Sequence, residues 1–292
     1  MIVHADKFHL TVPTLRRITT YPIKALDPHE RTVGQITPGG VIEHDREYAI
    51  LAKDATEPYD PETESASSGD YINGKRTDAV HRVRSQFDPE ARTLTLRVQG
   101  ETESHTFDLD DRRELNRWLT DYFDHPASVR QYSAAGHHDL HKHDISGPSV
   151  ISTATLRTVA SWYPKIGIDS IRRRFRANLE IGGVPPFWED RLIADHGQAV
   201  SFRIGAVRLV GVEPCERCVV PARDPDTGAK DEDFARTFTR KRRETRPEWL
   251  ESDRFDNYFR LMTVTNVPQS EWGKTVRVGD DVSIIEAHAY EQ

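Results

Sequence analysis

The chain has 292 residues, 36% hydrophobic and 30% charged, with a mean hydropathy of -0.66 and a formal net charge of -7. Tryptophan, phenylalanine and β-branched residues recur along its whole length, which excludes a disordered chain and leaves a polar, folded protein with room for two domains. The acidic balance excludes a dedicated nucleic-acid binder. No window reaches a membrane span and the opening "MIVHADKFHL" has no signal-type apolar core, so a cytoplasmic protein without a membrane partner is expected.

From Leu15 to Leu51 the runs "LRRITTYPI", "RTVGQITPGGVI" and "REYAILA" read as short strands, with β-branched residues and Gly or Pro punctuation. Residues 57–75, rich in Pro, Ser, Gly and acids, read as a loop. "VHRVRSQFDPEARTLTLRVQG" alternates on either side of "DPEA", which predicts a hairpin ending near Gly100. In "DDRRELNRWLTDYFD" the spacing of Leu115, Leu119 and Phe123 predicts a helix behind acidic capping residues, and a domain boundary is placed near residue 130. The units are thus 1–130 and 131–292. "SGPSVISTATLRTVASWYP" predicts a strand, a Ser/Thr cap and a helix ending at Pro164. "SIRRRFRANLEIGG" predicts a short helix and a strand, and "AVSFRIGAVRLVGVEPCERC" two strands. "FARTFTRKRRETRPEWL" predicts a helix and "KTVRVGDDVSII" a closing strand pair. The fold class is mainly β with some α.

The only cysteines, Cys215 and Cys218, lie in "VEPCERCVVPARDPDTG". Two thiols do not make a disulfide framework, and a Cys-x-x-Cys pair in a reducing compartment suits redox chemistry, metal binding or a buried structural role. Arg217 and Arg223 stand beside them, and neighbouring cations suit a thiol that ligates a metal or acts as a nucleophile. The following "DPDTG" is a turn in which Pro225 sets φ and Gly228 supplies a positive φ.

"CERCVVPARDPDTG" resembles the cysteine motif of the MOSC family of molybdenum-cofactor proteins, which includes the amidoxime-reducing component of mitochondria and bacterial relatives. Five further segments resemble the family in order: "YPIKAL", "HDREYAIL", "RFRANLEIGG", "PFWEDRLI" and "VRVGDDVSII". The resemblance implies an N-terminal β-rich MOSC-associated domain followed by a MOSC β-barrel, with molybdopterin in the cleft between them. It implies that Cys218 ligates molybdenum and is the catalytic residue, with Cys215 structural, redox-active or sulfur-carrying. It also implies that Lys24, Arg46, Arg176 and Asn178 bind the phosphate and pterin, since guanidinium, ammonium and amide groups suit those partners. Ala25 and Ala177 depart from the family's usual Ser and Pro, so no hydroxyl contact is carried over at Ala25.

The activity implied is oxygen removal from small N-hydroxylated compounds, with a non-catalytic carrier of molybdenum cofactor or sulfur as the alternative. A cofactor-free barrel holding zinc or a disulfide at the cysteines is the plainer third reading. No iron-sulfur, dinucleotide or flavin motif is present, so an external electron-transfer protein or reductase is the expected partner. Ser152 and Thr153, at a strand-to-helix turn, offer backbone N–H groups to the cofactor or an oxyanion. The cluster "HHDLHKH" at 137–143 reads as a solvated loop or a metal or proton-transfer site, and Glu189–Asp190 as a turn or an acidic pair near the site. The basic run in 234–250 reads as a solvated helix face or a docking patch for an acidic electron donor.

Overall fold

The computed structural model describes residues 12–58, 70–132, 136–137, 147–250 and 253–290. The first half contributes strands β1 (Thr14–Thr20), β2 (His29–Arg31), β3 (Val33–Gln35), β4 (Tyr48–Leu51), β5 (Val83–Asp88), β6 (Thr93–Val98) and β7 (His105–Asp108). Helix α1 (Arg113–Phe123) and strand β8 (Ser128–Gln131) follow. The second half adds β9 (Val150–Ser152), α2 (Thr153–Ser161), α3 (Ile168–Phe175), β10 (Leu179–Gly182), β11 (Gln198–Ile204) and β12 (Val207–Glu216). It ends with α4 (Phe234–Glu244), β13 (Arg260–Asn266), β14 (Thr275–Arg277) and β15 (Val282–Ala289). The architecture is mainly β, as the composition of the segments predicts.

Eight strands form one sheet in the order β15-β11-β12-β13-β9-β10-β1-β2, with only β9 and β10 parallel. Its edges are drawn together. Leu15 donates to the Asp280 carbonyl at 2.8 Å, Gly279 donates to the Leu15 carbonyl at 2.8 Å and Val282 donates to the Pro13 carbonyl at 2.8 Å, so β1 is bonded to β10 and to the segment that opens β15. Closure hides an edge that would otherwise be left unpaired. Inward-facing Leu15, Ile18, Leu179, Phe202, Leu209 and Val276 fill the enclosed core. The expected closing strand pair is therefore two strands in different sheets: β14 pairs with β3, and β15 with β11. The turn at Gly279, φ 100°, separates them.

A smaller unit carries the predicted hairpin, β5-β6, extended by β7 into a three-stranded sheet, and the pair β4-β8. Asp88 accepts from the backbone of Glu90 and Ala91 in the hairpin turn, and Arg92 closes it with φ 52°. Leu115 and Leu119 of α1 bury against Leu94, Leu96 and Ile50, as the i, i+4 spacing requires. No side chain caps α1 at Arg112; Asp111 lies one residue earlier and accepts from the Arg113 N–H at 3.3 Å.

Helices α2, α3 and α4 lie against the barrel through a third cluster that includes Leu156, Ile171, Phe175, Phe234 and Phe238. The hairpin sheet lies wholly before residue 130, but β1 pairs with β10 and β3 with β14 across that position. Among the described residues no helix is long and apolar enough to cross a membrane.

Candidate functional site

Between the smaller unit and the barrel lies a cavity of about 200 Å3. The loop after β1 brings Lys24 and Ala25, the stretch before β4 brings Arg46, the segment 73–84 brings Lys75, His81 and Arg84, the end of α3 brings Arg173, Arg174 and Arg176, and the end of β12 brings both cysteines with Arg217. Nine lysines and arginines line it against one carboxylate, Asp27, among the described residues. A chain of net charge -7 thus concentrates positive potential in this cleft, which favours an anionic occupant.

Backbone conformation decides where several of these cations point. Arg176 ends α3 in the left-handed region, φ 58°, so the chain turns out of the helix and lays its guanidinium 3.9 Å from the centroid of Tyr21. Arg46, φ 54°, places its guanidinium 5.3 Å from the same ring and pairs with Asp45. Burial, and then the neighbouring Arg46, push Arg176 down to about 10, still a cation at neutral pH, and burial pushes the Tyr21 phenol up to about 12. The guanidinium of Arg176 has no hydrogen bond or ion pair among the described residues. Lys24 is buried, donates to the His137 carbonyl at 2.9 Å and lies 4.7 Å from the Tyr71 centroid.

The cysteine segment leaves β12 through two register breaks, after Gly211 and after Pro214. Arg217 donates from Nη1 to Cys215 Sγ at 3.1 Å and from Nη2 to the Phe175 carbonyl at 3.2 Å, while its buried Nε has no partner. Cys218 is half-buried, unbridged and without a hydrogen bond among the described residues. The turn behind it is built as expected: Asp224 Oδ1 accepts from the N–H groups of Asp226 and Thr227 at 3.0 and 2.9 Å, and Gly228 has φ 73°. Gly228 is required twice over, because a Cβ there would stand 2.6 Å from the Cβ of Asp78 in the smaller unit. Arg223 donates to the Gly228 carbonyl at 2.9 Å and also keeps a buried, partnerless Nε.

Of the residues singled out in the sequence, Lys24, Arg46, Arg176, Asn178, Cys215 and Cys218 meet at this cavity. Asn178 reaches it with its amide already engaged: Nδ2 donates to the Thr19 carbonyl and Oδ1 accepts from the Ser149 N–H and hydroxyl, each at 3.1 Å. Ser152 and Thr153 do not line it. The Ser152 N–H donates to Glu189, its Oγ caps α2 by accepting from Thr155 N–H at 3.0 Å, and Thr153 Oγ1 donates to Glu180 at 2.7 Å. Their polar groups are consumed inside the barrel wall. Glu189 and Asp190 form a buried turn, residues Trp188–Leu192, away from the cleft, with Asp190 paired to the buried Arg242 of α4. Of the histidine cluster only His137 is described; the rest lies outside the described residues. No group of three His, Cys, Asp or Glu side chains disposed to hold a metal occurs among the described residues. On α4, Asp233 and Glu244 pair with Arg236, Arg240 and Lys241, which gives the outward face both signs of charge.

Arg84, Arg173 and His81 are cleft residues that sequence reasoning missed, because "HRVR" and "RRR" look like solvated faces. Burial holds His81 below the usual histidine range, and Arg223, Arg176 and Arg84 reinforce the effect, so the ring is neutral at pH 7. Its neighbour Gly74 permits this close fit: a Cβ there would stand 2.4 Å from Nε2.

Fold and site together define a two-part β protein whose cation-lined cleft carries a thiol on the barrel side. Comparison with known families makes this specific. Residues 12–126 match the MOSC N-terminal beta barrel domain and residues 137–283 the MOSC domain. The chain belongs to the MOSC family. It is similar to proteins named molybdenum cofactor sulfurase from Caenorhabditis briggsae, 25% identical over 226 residues, and Caenorhabditis elegans, 25% identical over 230 residues. In each case 75% of this chain is covered but only 30% of the relative, so the chain spans about a third of their length.

Proposed function

We propose that the cleft binds the molybdenum cofactor and that the loaded protein reduces N-hydroxylated compounds, such as hydroxylamines and amidoximes, to amines and amidines with release of water. Electrons come from an external partner protein. The observation that carries this reading is Cys218, a half-buried thiol with no hydrogen bond, on the wall of a cavity lined by nine cations and one carboxylate. A soft thiolate suits molybdenum, and the cofactor supplies two-electron oxygen-removal chemistry when bound.

The residues present fit such a group. Arg217 and Arg223 each keep a buried Nε without a partner, and Arg176, stacked on Tyr21, has guanidinium N–H groups with no hydrogen bond among the described residues, which is the donor set a phosphate-bearing anion needs. Lys24 and Arg46 add positive charge from the opposite wall. Ala25, φ 72°, gives this wall a methyl group rather than a hydroxyl, so the anion is held there by charge alone. The neutral ring of His81 adds a hydrogen-bonding group without adding charge.

A second reading, a carrier of sulfur or cofactor, is favoured by the 3.1 Å contact between Arg217 and Cys215 and by the names of the curated relatives. There Cys215 holds the transferable sulfur. Protein made in a host that synthesises the cofactor distinguishes the two. The reductase reading expects stoichiometric molybdenum that is lost in Cys218→Ser and kept in Cys215→Ser, with single-turnover reduction of benzamidoxime following the same pattern. Molybdenum without any turnover, together with a persulfide on Cys215 by mass spectrometry, selects the carrier. Absence of molybdenum sinks the reductase reading.

A further inference from the structure

Two of the nine cleft cations differ from the rest. Arg84, on β5 of the smaller unit, and Arg173, on α3 of the barrel side, converge on the same pair of carboxylates. Arg84 Nη1 lies 3.0 Å from Asp27 and 3.3 Å from Asp226, and Arg173 lies 2.8 Å from Asp226 and 3.8 Å from Asp27. Both guanidinium groups also donate to the Pro225 carbonyl, at 3.3 and 3.0 Å. Asp27 is itself held by exchange with Ser85, whose N–H donates to Asp27 Oδ2 at 3.0 Å and whose Oγ accepts from the Asp27 N–H at 3.1 Å.

The result is a closed square of two positive and two negative charges. It joins four separate segments: the loop after β1, strand β5, helix α3 and the turn that follows Cys218. Asp27, Arg84, Arg173 and Pro225 lie on the cleft wall, whereas Asp226 stands behind it. By contrast Arg176, Arg217 and Arg223 have no carboxylate partner among the described residues.

We propose that Asp226 is a positioning and specificity residue of the cleft. By sharing Arg84 and Arg173 with Asp27 it neutralises both, pins the cysteine turn to both halves of the molecule, and takes these two out of the positive potential a bound anion meets, leaving Arg176, Arg217 and Arg223 as the arginines beside the cysteines that supply it. The inference rests on the cleft being an anion site, and it specifies which arginines make it one. The occupant it selects is an anion seated close to Cys218, not one spread along the arginines of the smaller unit.

Thiol modification of the full chain tests this without cofactor. The rates of cysteine modification by a dianionic disulfide, 5,5′-dithiobis(2-nitrobenzoate), and a neutral one, 2,2′-dithiodipyridine, are compared at low salt. Asp226→Asn leaves two arginines sharing one carboxylate and is expected to raise the dianion-to-neutral rate ratio about fourfold, the effect of one uncompensated charge about 10 Å from a dianion at water-like dielectric. Arg84→Gln and Arg173→Gln lower the ratio, Asp226→Glu restores it, and about 1 M salt removes the differences.

A ratio that does not move in Asp226→Asn, or both reagents accelerating in parallel, overturns the proposal, because a merely loosened turn treats both reagents alike. If Asp226→Asn does not fold, the sign of the change in the two glutamine variants decides. Arg176→Gln separates the underlying reading: it must lower the ratio if the cleft selects anions. Should it fail to do so, the anion site itself is wrong; should it succeed while Asp226→Asn is silent, only the role of Asp226 falls.

Discussion

Glu189 shows how far the fold can move the charge of one residue. Its Oε2 accepts from the Ser152 N–H at 3.3 Å and from the Thr155 hydroxyl at 3.0 Å, while Oε1 is buried without a partner. Burial first, and then the adjacent Asp190 carboxylate, push it up to about 7. The unfolded chain releases this proton near the ordinary carboxylate value, so between about pH 4.5 and pH 7 the folded state binds more protons than the unfolded one. Stability is therefore full below that window, falls as pH rises through it and levels off above. Glu189→Gln keeps an acceptor toward Ser152 and Thr155 and removes the titration. The difference in melting temperature between variant and parent should increase in favour of the variant from pH 5 to pH 8; a constant difference would mean Glu189 does not titrate in this range. Next to it Arg242 lies between Phe187 and Phe255, 4.2 and 5.3 Å from their centroids, and answers the Asp190 charge. Arg242→Met strands that carboxylate, and a loss of about 3 to 5 kcal/mol in denaturant unfolding is expected.

At the scale of elements, the strand-to-helix turn at β9–α2 and the turn behind Cys218 have opposite fates. The first is structural. Ser152 caps α2, so Ser152→Ala should cost about 1 kcal/mol of stability in denaturant titration while leaving the reactivity of the cysteines unchanged. The second is where the halves touch. A methyl group at Gly228 would meet Asp78 at 2.6 Å in a backbone conformation unfavourable for a side chain, so Gly228→Ala is expected to destabilise by about 1 to 3 kcal/mol and to alter the modification rate of Cys218. An unchanged thiol rate would separate the turn from the site. Local chemistry in both segments was legible: Ser/Thr before an apolar run signals a cap, and "DPDTG" signals a turn with a left-handed glycine. Which way each turn faces was not, because polar groups at a turn look alike whether they meet a ligand or a neighbouring Glu189 and Glu180.

For the whole molecule, β1, with β3 beside it on β14, ties the two halves into one structure. It enters the barrel between β10 and the segment 279–282, and Leu15 and Ile18 fill the barrel core. A fragment of residues 131–292 lacks this strand and exposes the edges it covers. It is expected to be insoluble or molten when made alone and to recover cooperative unfolding when residues 1–130 are co-expressed; a stable, cooperatively folding fragment would show the barrel closes without β1.

The sequence by itself determined the mainly β class, the order of most elements and the family, together with Cys218, Lys24, Arg46 and Arg176 as cleft candidates. These rest on alternation, helical spacing, turn chemistry and ordered short motifs, all of which act over a few residues. Only the tertiary structure decided that β14 and β15 go to different sheets, that Asn178 is already engaged by Ser149 and Thr19, and that Arg84 and Arg173 meet Asp27 and Asp226. Each of those outcomes depends on which distant segments become neighbours when the barrel closes. Burial then assigns each of these charges either to a partner or to the open cleft, and no local pattern carries that information.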